Sequence, residues 1–111
     1  MYIIDKNGDI TMIRGDTVEF NIIVQQLDEN GNISEYTLEE GDVLTFTVKK
    51  NTKTKEPLIQ KTGVHITILP EDTQDLDYKT YKYDVQLTMA NGTVDTIIPP
   101  SDFIVQDEVT W

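Results

Sequence analysis

Carboxylates dominate the residues of this chain that could do chemistry, and other reactive groups are scarce. Asp and Glu number 20, against one histidine, two serines and no cysteine. Two carboxylates held at a fixed separation can act as general acid and base. However, neither serine lies in a Gly-x-Ser-x-Gly elbow, His65 has no nucleophile to serve, and no glycine-rich loop could cradle a phosphate. We therefore expect no catalytic residue and no enzyme activity.

Two segments place oxygen atoms at the spacing of a calcium-binding loop. One holds Asp5, Asn7 and Asp9, and the other runs from Asp28 to Glu39. The sixth position, which is glycine in an EF-hand, is isoleucine in both segments. Glycine instead follows asparagine directly, which is typical of a hairpin turn. We interpret both segments as turns and expect no metal and no cofactor, with calcium binding left as the alternative.

The charge of the chain is unevenly distributed. Its net charge of −11 makes nucleic acid an unfavourable partner, because affinity for phosphate backbones comes mainly from Lys and Arg. The lysine loop, which we define as residues 49–56, carries Lys49, Lys50, Lys53 and Lys55, while acidic clusters occupy 39–42, 71–77 and 107–108. The first interpretation is a set of solvated loops. The alternative is a dipolar module that docks its lysine loop against the acidic rim of a neighbouring subunit.

Aromatic side chains near the predicted loops and ends could anchor a partner. Trp111 follows Asp107 and Glu108, and we expect its ring to lie against the edge of the domain or against a partner. The candidate interface residues are therefore Lys49, Lys50, Lys53, Lys55 and Trp111.

Length and composition predict one domain that spans residues 1–111. The absence of cysteine removes disulfides and thiolate metal sites, and it fits folding in a reducing cytoplasm. No basic region precedes an apolar run at the amino terminus, and no apolar stretch approaches the roughly 18 residues that span a bilayer. We expect neither a signal peptide nor membrane insertion.

Apolar and polar residues alternate with a period of two along most of the chain, which predicts short strands separated by turns. The clearest is a hairpin from Asp77 to Ile98, with a type I′ turn at Asn91-Gly92. Pro99-Pro100 is expected to interrupt the chain before a last strand, and residues 70–77 suit a single helical turn. The other predicted strands are 10–14, 17–26, 33–38, 43–50, 58–62, 64–69 and 103–109.

About seven to nine short strands predict an all-β, antiparallel sandwich, with a small barrel as the alternative. The spacing of Asp77, Tyr81 and Tyr83 resembles the tyrosine corner of immunoglobulin-like domains, with Tyr83 in the place of a buried cysteine. These three residues are the candidate structural corner. The cysteine pair and the tryptophan of antibody domains are absent, so the resemblance predicts an immunoglobulin-like sandwich of a general kind.

Several phrases in one order resemble the small β-sandwich modules of phage and prophage tail and baseplate regions, among them the amino-terminal domain of baseplate upper proteins. They lie at residues 14–20, 44–50, 70–73, 81–87 and 95–99. The resemblance implies a virion structural protein, made in the host cytoplasm. It also implies an assembly or attachment module with tail or baseplate subunits, or further copies of itself, as partners. It carries over no catalytic residue.

Two other functions remain open from the sequence. One is a free-standing module that binds carbohydrate or a host surface through loops at one end of the domain. The other is a small inhibitory protein whose acidic surface mimics nucleic acid.

Overall fold

The protein is mostly β structure. The computed structural model describes residues 2–4, 8–27 and 29–107, and in these it has ten strands and one short helix. No helix in these ranges has the length and apolar character needed to cross a membrane. The elements are β1 (Tyr2–Ile4), β2 (Ile10–Ile13), β3 (Val18–Asn21), β4 (Gln25–Leu27), β5 (Ile33–Glu35), β6 (Val43–Lys49), β7 (Ile59–Thr62), β8 (His65–Ile68), α1 (Pro70–Thr73), β9 (Thr80–Thr88) and β10 (Val94–Gln106).

Six strands form the main sheet, in the order β1-β2-β10-β9-β6-β7, which curls into a half-barrel. β3 and β8 form a second sheet, and β4 and β5 pair separately. The β-rich fold is confirmed, but the main sheet is mixed, because β2 runs parallel to β10 with Ile10 opposite Phe103. The prediction of a wholly antiparallel fold was therefore wrong at this pair. Alternation reports which face a residue occupies and not the direction of a neighbouring strand.

The inward faces of the main sheet and of the β3–β8 sheet meet in one hydrophobic core. The predicted inward positions of β6 and β9 are buried, and Phe46 lies at the centre of an aromatic cluster. Its ring centroid is 5.6 Å from that of Phe20 in the second sheet and 5.3 Å from that of Tyr83. Phe103 packs at 6.4 Å from the same ring, so the cluster joins β3, β6, β9 and β10.

A helical turn follows β8, as the sequence predicts. Pro70 begins α1, where its missing N–H costs no hydrogen bond. The carboxylate of Asp72 accepts a hydrogen bond from the backbone N–H of Leu69 at 2.8 Å and pairs with Lys61 of β7 at 3.0 Å. The helix is thereby fixed to the edge of the main sheet.

The turn between β9 and β10 differs from the predicted type I′ turn. Asn91 does not have the positive φ that this turn requires, and only Gly92 does, at 91°. The N–H of Met89 donates to the carbonyl of Thr93 and the N–H of Gly92 donates to the carbonyl of Met89, which defines a three-residue loop. The side chain of Asn91 favours this geometry, because its Oδ1 accepts the N–H of Thr93 at 2.9 Å.

Pro99 and Pro100 do not interrupt β10, contrary to the prediction. The strand runs for 13 residues, and its register with β9 shifts between Thr96 and Ile98 and again between Ile98 and Ser101. These irregularities accommodate residues that have no N–H to donate to a ladder. The last predicted strand is thus the second half of β10, and residues 108–109 of it lie outside the described ranges.

The predicted strand at 17–26 is divided because it changes partner. Ile22 donates its N–H to the carbonyl of Val64 beside β8, and two residues later the carbonyl of Val24 accepts the N–H of Tyr36 beside β5. The inward alternation persists through the break, since Val18, Ile22 and Val24 are all buried. Periodicity predicted the faces correctly but not the exchange of neighbours.

Candidate functional site

The outward face of β6, β9 and β10 changes chemical character along the strands. Directly paired residues lie on the same face, so the register defines rows of side chains across the sheet. The row nearest the β9–β10 turn contains Val43, Thr88 and Val94, and both valines are exposed. The face then becomes polar and finally charged. The succeeding rows are Thr45, Gln86 and Thr96, then Thr47 and Asp84, then Lys49 and Lys82.

A polar groove of ≈ 340 Å³ lies on this face where it becomes charged. Thr47 faces outward and yet is only 9% exposed. Its Oγ1 accepts a hydrogen bond of 3.3 Å from Nε2 of Gln60 on β7. The groove is bounded by β6, β7, β9 and the lysine loop. Besides these two residues it is lined by Thr45, Lys49, Lys55, Pro57, Asp84 and Gln86.

Asp84, Lys49 and Lys55 are the charged groups on the wall of this groove. Partial burial raises the pKa of Asp84, and the positive charge of Lys49 opposes that rise. A carboxylate in this position is poorly solvated and gains from a nearby cation. Asp84 and Lys49 give the wall of the groove both signs of charge. The exposed lysines of the lysine loop make its rim basic.

A single side chain organises the tip of the lysine loop. Oδ1 of Asn51 accepts hydrogen bonds from the backbone N–H of Lys53 at 2.9 Å and of Thr54 at 3.0 Å. It also accepts the hydroxyl of Thr54 at 2.9 Å. An asparagine that caps its own turn in this way fixes the backbone locally. The backbone that carries Lys50, Lys53 and Lys55 is therefore held in one conformation by Asn51.

The four lysines of this loop have no carboxylate within ion-pair distance in the described part of the chain. Other lysines are paired there, Lys61 with Asp72 and Lys82 with Asp102. Lys50, Lys53 and Lys55 are also exposed. The structure thus brings these three together as an uncompensated basic surface beside the groove, with Lys49 next to them and close to Asp84.

The corner residues predicted from the sequence lie on β9 and just before it, with both tyrosine rings buried on the inward face of the sheet. The hydroxyl of Tyr81 donates to the backbone carbonyl of Asp77 at 2.9 Å, four residues upstream. Tyr83 is buried two residues further on, and its hydroxyl donates to the carbonyl of Gly8. Both tyrosines hold chain segments in place, and neither faces the groove.

Other candidate positions are not brought to this surface. Trp111 lies outside the described residues, as do Asp5, Asn7 and Asp28 of the calcium-like segments. Within the described ranges, no group of three or more His, Cys, Asp or Glu side chains is arranged to hold a metal ion. His65 is exposed on β8, where its Nδ1 lies 2.7 Å from Oδ1 of Asn21.

Sequence reasoning missed the groove and the role of Asp42. Alternation predicts outward faces for Thr47 and Asp84, but only the pairing of three separated strands joins them with Gln60 into a concavity. Asp42 was read as one member of an acidic cluster. In the structure its Oδ2 accepts hydrogen bonds from the hydroxyl of Tyr36 and the N–H of Glu39. The signal available was a Tyr-to-Asp spacing of six residues across a turn, which is too common to be specific.

No protein-family model matches the chain, and no curated protein matches it significantly.

Proposed function

We propose that the protein is a structural component of a phage or prophage particle, an assembly or attachment module of the tail or baseplate. The phrases that resemble baseplate modules support this origin. The observation that carries the assembly role is the set of uncompensated lysines on an otherwise acidic molecule. Such a surface suits recognition of another protein by charge, which favours fast and specific docking.

We also propose that the fold is a variant of the immunoglobulin-like sandwich. The neighbours β10, β9, β6 and β7 follow the order of strands G, F, C and C′ of variable-type domains, and β3 with β8 would be strands B and E. The bond from Tyr81 to Asp77 supports it, because a tyrosine corner lies at the start of strand F. The parallel β2–β10 pair and the inserted β4–β5 hairpin would be variations on that plan.

The carbohydrate-binding alternative is less well supported. Sugar platforms are built from exposed aromatic rings, and among the described residues that line the groove none is aromatic. Tyr83, which borders the adjacent part of the face, is only 3% exposed. The groove instead offers hydroxyls, amides and charges, and its described lining has no aromatic ring on which a sugar could stack.

Pairing of another chain's strand with the β7 edge of the main sheet is also disfavoured. β7 is the terminal strand on this side of the sheet and β1 on the other, and the outer edge of β7 borders no further strand of the described sheet. Pro57 precedes it, and Lys61 within it is held by Asp72. Proline and charged residues on an edge strand discourage pairing with another chain. Docking through side chains of the lysine loop is therefore preferred to docking through the backbone.

Purification of particles tests the proposal. The bacterial strain that encodes the chain should be induced to release particles, which are separated on a density gradient and washed with salt. The chain should migrate with intact particles at a constant ratio to a major tail protein. If the chain is abundant in the lysate but absent from purified particles, the proposed function is wrong.

A further inference from the structure

We propose that copies of this chain associate head to tail, with the lysine loop of one copy against the acidic loop, residues 39–42, of the next. This inference rests on the proposed function, because it names a second copy as a partner of the assembly module.

The two loops lie at opposite ends of the same strand. β6 begins at Val43, directly after the acidic loop, and ends at Lys49, where the lysine loop starts. Seven extended residues separate the ends by about 20 Å. The molecule is elongated, with a longest dimension of 50 Å. A lysine of one copy cannot reach the acidic loop of the same copy, but it can reach that of a neighbour.

Basic residues are absent from two long stretches of the chain that include the acidic end. No Lys or Arg occurs between Arg14 and Lys49, while eight Asp and Glu residues do. Residues 49–61 then hold five lysines and one glutamate. The chain from 83 to 107, which includes the β9–β10 turn beside the acidic loop, again has no Lys or Arg. Each end therefore complements the other and repels a copy of itself.

The acidic loop is a better acceptor than the second acidic cluster, residues 71–77. In that cluster Asp72 already pairs with Lys61, and Arg14 lies alongside, donating from Nη1 to the carbonyl of Leu76 at 3.4 Å. Glu39 and Glu40 are exposed and have no basic neighbour in sequence for more than eight residues on either side. Their charge is the less compensated of the two.

Both loops are held in shape before any partner binds. Asn51 fixes the lysine loop through three hydrogen bonds. Asp42 fixes the acidic loop by accepting the N–H of Glu39 at 2.9 Å and the hydroxyl of Tyr36 at 2.7 Å. Preorganised surfaces lose less conformational entropy on association, so modest charge attraction suffices.

Contact between two different surfaces has a consequence for the assembly. A head-to-tail interface is heterologous, so it propagates into a closed ring or an open chain and does not stop at a two-fold dimer. Either outcome suits a component that is repeated around or along a particle.

Charge reversal and complementation test the proposal by sedimentation velocity. The first variant carries Lys50→Glu, Lys53→Glu and Lys55→Glu, and the second carries Glu39→Lys and Glu40→Lys. Wild type should form oligomers at about 50 mM NaCl and dissociate at about 500 mM, where the screening length falls to roughly 4 Å. Each variant alone should lose association at least about tenfold, and an equimolar mixture should recover it in alternating pairs.

A matched control separates this contact from general charge attraction. Glu71→Lys with Asp75→Lys makes the same change of charge in the second acidic cluster, and circular dichroism checks that each variant is folded. This control keeps both docking loops and should associate like wild type, and the lysine-reversed variant, which keeps its acidic loop, should join its oligomers only as one terminal subunit. A wild type that stays monomeric at high concentration in low salt overturns the inference, and so does a control that loses association as strongly as the Glu39→Lys, Glu40→Lys variant. Monomers found together with particle-bound chain would overturn only this inference, whereas oligomers with no chain in particles would overturn the proposed function.

Discussion

The hydroxyl of Tyr36 donates a hydrogen bond of 2.7 Å to Oδ2 of Asp42. The same carboxylate accepts the backbone N–H of Glu39 at 2.9 Å, and the backbone of Ala90 also lowers its pKa, so it links the segment after β5, the acidic loop and the β9–β10 turn. The two loops also touch directly, since a Cβ placed on Gly41 would lie 2.6 Å from that of Ala90. Asp42 is thus the group that shapes the acidic end of the molecule.

Removal of the Asp42 carboxylate should loosen this end. The hydrogen bond from Tyr36, and next the one from Glu39, lowers the pKa of Asp42. A lowered pKa stabilises the folded state above the ordinary Asp pKa of about 4, and that contribution is lost as the pH falls through the folded-state value. Asp42→Asn should lower the melting temperature at pH 7 and flatten the loss of stability between pH 5 and pH 2. If the difference in melting temperature between wild type and Asp42→Asn stays constant from pH 5 to pH 2, the lowered pKa does not belong to Asp42.

The partner tyrosine should titrate at unusually high pH. Its hydrogen bond to Asp42, together with partial burial and the negative charges of Asp42 and Glu39, raises the pKa of Tyr36 to about 12. The raised pKa adds stability that is present below the ordinary value of about 10 and is lost as the pH rises through 12. Absorbance at 295 nm should show a late tyrosine step that Tyr36→Phe removes. Survival of that step in the variant would assign it to another tyrosine.

The Tyr81 hydroxyl should contribute measurably to stability. It is part of a ring that is 3% exposed and it donates to the carbonyl of Asp77. Tyr81→Phe keeps the ring and leaves that carbonyl without its donor, so the free energy of unfolding should fall by about 1 kcal/mol. Thr96→Val removes a hydroxyl from an exposed position of β10 and serves as the control. Equal losses in urea unfolding for the two variants would show that the corner bond has no special weight.

Gly41 should tolerate substitution poorly. It has a φ of +91°, and an added Cβ would collide with Ala90. Gly31 has a similar φ of +81° but nothing within 4 Å of an added Cβ. Gly31→Ala should cost about 1 kcal/mol from backbone strain alone, and Gly41→Ala about 1–3 kcal/mol more from the collision. Gly41→Ala combined with Ala90→Gly should recover part of the difference, and no recovery would place the cost elsewhere.

Local pattern was enough to predict the faces of the strands but not the arrangement of their partners. Val18, Phe46 and Val85 are buried as alternation requires, because a period of two follows from strand geometry itself. The parallel pairing of β2 with β10 joins residues more than ninety positions apart, and no local signal encodes it. Pro99 and Pro100 were read as a break because a bulge that accommodates them depends on the neighbouring strand.

Part of the candidate site could also be predicted from the sequence, and part of it depends on how the strands pair. The lysine loop was visible as a run of like charges, and its exposure follows from composition. Whether those lysines are compensated depends on carboxylates brought near by folding, as Lys61 and Asp72 illustrate. The groove floor at Thr47 and the carboxylate of Asp84 needed the pairing of β6 with β7 and β9 to become one surface.

Zero-length crosslinking tests most directly the claim that the lysine loop docks on the acidic loop of a second copy. A carbodiimide joins an amine to a carboxylate only when the two are in contact, and the two loops of one copy are about 20 Å apart. A mixture of ¹⁴N and ¹⁵N chains identifies links between copies by their mixed isotope mass. Links from Lys50, Lys53 or Lys55 to Glu39 or Glu40 should appear between copies at low salt and disappear at high salt. Links only within single copies, or links between copies that lead to residues 71–77 instead, would contradict the head-to-tail arrangement.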